Sequence, residues 1–104
     1  MKIAVAARKK NNTYMVEPVF GRADLFVLVE ENGNDRVVIE NPYRDDTEAA
    51  GRKVAQWLIQ EGVTTVLCGD VGAKTRFYLS EGGIFSGIGY DGTVDEALAR
   101  FAAS

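Results

Sequence analysis

The chain contains no histidine and only one cysteine, Cys68. The first absence removes the commonest transition-metal ligand and the commonest general base, and with them histidine-dependent triads and helical two-histidine zinc sites. The second excludes an intramolecular disulfide and any metal site built from several thiolates. No apolar run is long enough to span a bilayer, so no membrane association is expected. The opening MKIAVAA passes into charges without the extended apolar segment of a secretory leader, which makes the cytoplasm the expected location. Basic charge is scarce too. Twelve Lys and Arg stand against 15 Asp and Glu, a net −3, which argues against general nucleic-acid binding, since that needs a basic surface to neutralise phosphates. What is present is ordinary for a soluble globular protein: 46% hydrophobic and 26% charged residues over 104 positions. One domain, residues 1–104, with one core is expected.

The order of elements follows from periodicity. KIAVAA at 2–7 is β-prone, and RKKNNT after it reads as a basic, Asn-rich loop. LFVLVEE at 25–31 and RVVIE at 36–40 are strand-like runs around NGND, whose Asn-Gly pair signals a hairpin. Asp45 and Glu48 resemble a helix start, and Ala50, Val54, Trp57 and Leu58 recur at the spacing of one helical face, predicting a helix over 47–61 ended by Gly62. VTTVLCG at 63–69 is a continuous apolar run of the kind a buried strand requires. A second helix is expected from Gly72 to Gly82, with Gly82 in the left-handed terminal position. IFSGIGY is a short strand, and Thr93 with Glu96 forms a capping box before a last helix. The sequence of elements is β-β-β-α-β-α-β-α. Strands joined by helices need right-handed crossovers, so the first, fourth and fifth strands should be parallel. The expected fold is α/β: a ribonuclease-H-like three-layer arrangement, with a five-stranded mixed sheet of order 3-2-1-4-5, strand 2 antiparallel, flanked by three helices.

In open α/β sheets, ligands gather beyond the carboxyl ends of the parallel strands. That edge would be built from the 8–13, 69–74 and 89–93 loops. Arg8, Lys9 and Lys10 supply charge on the first. On the second, Gly69 and Gly72 surround a helix start whose free N–H groups favour an anion, with Lys74 in the first turn. Cys68 has two readings, as a small buried apolar residue or as a soft thiolate acidified by the nearby helix start. Two-metal nuclease chemistry needs converging carboxylates, and KIAVAA has none. CGDVG lacks the glycine spacing of a dinucleotide site. No nucleophile–base pair can be assembled, so the chain is not expected to be an enzyme.

MKIAVAA, PVFGRADLFVLVE, VIENP, AAGRKVAQWLIQEGVTTVLCGDVGAK and GTVDEALARF, in that order and spacing, resemble the dinitrogenase iron-molybdenum cofactor biosynthesis family, which includes NifX-type cofactor carriers and the orange protein. The resemblance covers nearly the whole chain. It implies a ribonuclease-H-like fold and non-enzymatic binding or transfer of an anionic metal–sulfur cluster, a molybdenum, iron or copper sulfide or its precursor, alongside cofactor-assembly proteins. Phe20, Gly21, Arg22 and Ala23 match the family's Phe-Gly-Arg-Ala block, and Gly69 and Gly72 match its glycine turn. Many relatives carry histidine where this chain has Val19. Direct ligation would then fall to Cys68, Met15 or carboxylates, or the cluster would be held by charge alone. The implied cluster- or anion-binding residues are Arg8, Lys9, Phe20, Gly21, Arg22, Gly69, Gly72 and Lys74, with Cys68 as a metal ligand. A second reading makes the same fold a protein–protein interaction module that has lost metal binding.

Overall fold

A run of small and β-branched apolar residues followed by charges can stay extended wherever neighbours satisfy both of its edges. In the computed structural model, which describes residues 1–30, 35–45 and 50–104, Lys2–Lys10 form one nine-residue strand, β1. After it come β2 (Thr13–Val16), a 3-10 turn (Phe20–Arg22), β3 (Leu25–Glu30), β4 (Arg36–Glu40), α1 (Ala50–Gln60), β5 (Thr65–Leu67), α2 (Ala73–Glu81), β6 (Phe85–Gly87) and α3 (Val94–Ala103).

The sheet runs β4-β3-β1-β5-β6, with β5 and β6 parallel to β1 and β3 antiparallel to it. This path follows the expected order, but the sheet has six strands where five were expected. The sixth is β2, which begins at the last residue of the expected basic loop and continues beyond it, while β1 takes in that loop's first three residues. Asn11 and Asn12 both take positive φ, 50° and 65°. That is the backbone of a tight two-residue hairpin turn, which asparagine tolerates better than other side-chain-bearing residues. Lys10 thereby faces Thr13, and Lys9 faces Tyr14. Ala7 is paired with both Leu25 and Val16. A strand residue has only two edges, so β2 lies along the edge of β1 that β5 leaves at Val5. The outer edge of β2 is covered in turn: Val16 N–H donates to Gly92 O at 2.9 Å, and Met15 bridges Thr93.

Alternation along β1 divides the core. Ala4 and Ala6 pack with Phe20, Phe26, Val54, Leu58 and Leu79 under α1 and α2. Ile3, Val5 and Ala7 pack with Val27, Val29, Leu67, Val94 and Ala97 under α3. The result is three layers around a sheet buried on both faces, which explains the nearly uninterrupted apolar runs of β1 and β5.

Helix limits follow their caps. The Thr93 hydroxyl accepts from Glu96 N–H at 3.0 Å while Thr93 N–H donates to the Glu96 carboxylate at 2.9 Å, the expected capping box. That backbone bond holds the Glu96 carboxyl below its usual range. Gly62, at φ 81°, closes α1. Gly72 is the N-cap of α2 and Gly82 its C-cap, but Gly82 sits at φ −87° and the left-handed residue is Gly83, at 79°. The chain reverses one residue later than its glycine pair suggests. The turn between β3 and β4 at 31–34, residues 47–49 of the expected first helix, and Glu48 of its expected cap lie outside the described residues.

Candidate anion-binding site

Three loops meet beyond the carboxyl ends of β1, β5 and β6, and backbone hydrogen bonds hold them together. Gly69 N–H donates to Glu17 O at 3.1 Å, Asp70 N–H to Pro18 O at 2.7 Å, and Phe20 N–H returns to Asp70 O at 2.9 Å. From the other side, Gly89 N–H donates to Gly69 O at 2.8 Å and Tyr90 N–H to Cys68 O at 3.1 Å. Gly69 is dictated by this packing. A Cβ there would fall 2.5 Å from Pro18 O and 2.7 Å from Pro18 Cα, closer than carbon tolerates. Its role is the close approach of two loops, and its own N–H and carbonyl are both taken, by Glu17 O and by Gly89 N–H.

Two helical starts lie side by side in this frame. Val19 precedes the 3-10 turn and bridges Asp70 in parallel, and Asp70 leads through Val71 to the Gly72 N-cap of α2. Neither start has a side-chain cap. The first N–H groups of α2 have no partner within the helix, and its aligned peptide dipoles make that end attractive to negative charge; in the 3-10 turn, by contrast, Phe20 N–H is taken by Asp70 O and Arg22 N–H by Val19 O. A Cβ at Gly21 or Gly72 would meet nothing within 4 Å, so both starts are sterically open.

The expected site residues separate in the structure. Arg22 ends the 3-10 turn and Lys74 lies in the first turn of α2; both are exposed, and among the described residues neither forms an ion pair. Arg8 shares the α1 and α2 face of the sheet, but its guanidinium donates to the Glu17 carboxylate at 3.4 Å. Lys9 does not join them. Because β1 continues through Lys10, Lys9 points to the α3 face, where its ammonium lies 5.9 Å from the Tyr14 ring centre. Phe20 is fully buried, its ring 5.5 Å from that of Phe26. It supports the site from below and cannot touch a ligand. Val19, at 44% exposed, is the apolar surface residue of the block.

Cys68 is buried completely, and its thiol lies 3.8 Å from Gly87 O. Loss of solvent and then the charge of Asp70 push the thiol up to about 11, against a smaller opposite effect of Arg76. Proximity to the α2 start therefore does not acidify it, in contrast to the thiolate reading. Such a thiol favours the folded state below its ordinary pKa of 9.0, and that contribution is lost as pH rises toward about 11. Native protein at pH 8 is expected to leave Ellman's reagent unreacted over hours and to release one thiol equivalent in denaturant; prompt native reaction would contradict the burial. Among the described residues no three His, Cys, Asp or Glu side chains gather as a metal site would require. A cleft of about 880 Å3 on the α3 face, lined by Met1, Ile3, Val29 and Phe101 among others, contains none of the expected site residues.

Sequence reasoning missed the part played by Pro18 and Asp70, whose backbone groups join the loops. The signal for it lies in the Asn11–Asn12 turn, which returns the chain alongside β1 and so delivers Pro18 to Gly69.

The fold is a small mixed α/β arrangement whose candidate site lies beyond the carboxyl ends of its parallel strands. The chain belongs to the dinitrogenase iron-molybdenum cofactor family, whose model matches residues 1–104. Among solved structures it is similar to the apo form of the orange protein from Desulfovibrio gigas, at 34% identity over 98% of this chain and 87% of that one, with a TM-score of 0.90. A putative NifB protein from Thermotoga is 28% identical over 99% of this chain and 88% of that one, with a TM-score of 0.83. A putative dinitrogenase from Methanocaldococcus jannaschii shares the fold, at 17% identity over 99% and 88% of the two chains and a TM-score of 0.69. No curated protein sequence matches the chain. Among the described residues no helix is long and apolar enough to cross a membrane.

Proposed function

We propose that the chain binds and carries an anionic metal–sulfur cluster, or its precursor, for iron–molybdenum cofactor assembly, without catalysing a reaction on it. The observation that carries this reading is the start of α2, which has no side-chain cap and is joined through Asp70 to Val19, flanked by the exposed cations Arg22 and Lys74. Family membership supports the choice of cargo. With no imidazole in the chain and Cys68 buried as a neutral thiol, the cluster is held as an anion, by N–H donors and side-chain charge. A molybdenum, iron or copper sulfide suits such a cradle because its charge is spread over terminal sulfides that accept hydrogen bonds. In this reading the layered sheet is of ribonuclease-H type, the protein works in the cytoplasm, and its partners are the proteins that build or receive the cluster.

Anaerobic titration with tetrathiomolybdate and copper tests it. Charge-transfer absorbance is expected to co-elute with the protein and to fall away as salt is raised, as screening weakens charge-held complexes. Absorbance that elutes apart from the protein at low salt would refute the carrier reading.

A further inference from the structure

β4 ends the sheet, with β3 on one side and, among the described residues, no strand on the other. Its hydrogen bonds to β3 fix what the open side displays. Asn41 N–H donates to Asp24 O, and Glu30 N–H to Asp35 O. Hydrogen-bonded pairs alternate along an antiparallel ladder, so the intervening ones are Phe26 with Ile39 and Leu28 with Val37. Arg36, Val38 and Glu40 therefore turn their N–H and C=O groups outward. All of β4 is at least partly solvent-accessible, with Val37 at 53% and Val38 at 44%.

These three outward residues are symmetric about Val38. Two copies laid antiparallel, Val38 against Val38, satisfy every outward backbone group, and set Arg36 of each copy opposite Glu40 of the other on the same face. A slip of two residues sets a charge against valine and strands one residue; a slip of four opposes like charges. Charged residues on an edge strand usually keep edges apart. Here their signs and spacing select one register and favour it. The Arg36 guanidinium is also held by Asp95 of α3, which orders it beside the edge.

We propose that β4 is a self-recognition edge, occupied by a second copy of this chain about a two-fold axis at Val38, so that two six-stranded sheets become one. Such an isologous contact needs no residue that the single chain lacks. Sedimentation of the full chain from micromolar to millimolar concentration tests it. A reversible monomer–dimer equilibrium is expected, and Glu40→Arg or Arg36→Glu should each weaken it by about tenfold or more, because two attractive pairs become repulsive. Mixing the two variants should restore a dimer of one copy of each, as each charge then meets its opposite. In the unmodified chain, exchange of the Val38 amide should slow as concentration rises, a readout that needs no variant. A monomer throughout the range, a dimer indifferent to both charge changes, or a Val38 amide protected only when a different protein is added would each overturn the proposal.

Discussion

Phe20→Ala is expected to lower the stability of the fold by about 3–5 kcal/mol, the usual loss when a buried aromatic side chain is truncated. The ring is fully buried against Phe26, which in turn meets Trp57 at 5.8 Å. Its removal leaves a cavity between the 3-10 turn and α1 that surrounding backbone can fill only by moving. Since small domains have about 5–15 kcal/mol in total, the urea midpoint should fall by about 2 M or more. Val19→His is the contrasting change one residue earlier. Val19 is 44% exposed, so the substitution should alter stability by no more than about 0.5 kcal/mol. If the two changes proved equally damaging, the placement of Phe20 in the core and Val19 at the surface would be wrong.

The second large effect concerns charge. Reversing both free cations, Arg22→Glu with Lys74→Glu, is expected to reduce retention of the thiomolybdate–copper cargo by about a hundredfold, taking about tenfold for each charge beside a partly desolvated anion. Lys9→Glu is the internal control, because the register of β1 sends Lys9 to the opposite face of the sheet, against Tyr14. Its retention should stay within about twofold of the unmodified chain, the residue being screened and remote. Titrations of the three proteins at one low ionic strength would decide. A loss of about tenfold in Lys9→Glu, matching the loss per reversed charge in the double variant, would show that the protein's overall charge, and not this edge, holds the ligand.

Most of the fold was legible because its signals are local. β-Branched and aromatic runs around NGND marked β3 and β4, the Thr93–Glu96 box marked the start of α3, and the continuous run at 63–69 marked a buried strand. β2 was not legible in the same way. Thr13–Val16 is short and follows a polar, basic segment, and the pairing that holds it depends on two consecutive asparagines adopting positive φ.

That omission spread to the site. Read as a loop, Arg8 and Lys9 converge on one ligand; read as a strand, alternation sends them to opposite faces. Cys68 shows a different limit. Its position before a helix start suggests acidity, but the protonation state is set by how completely the core packs around the sulfur, and that is a property of tertiary packing. Phe20 lies in a family block shared with surface residues, and sequence adjacency does not separate the one that faces inward.

The burial of Cys68 also bears on how a carried cluster would leave. A thiolate or imidazole ligand makes a coordinate bond, and hand-over then proceeds by ligand exchange, with the donor protein competing for the metal. This chain has no imidazole, and its one thiol is sealed within the core. A cluster held only by amide groups and cations can depart with its own coordination shell unchanged, drawn off by any acceptor that offers it a stronger field.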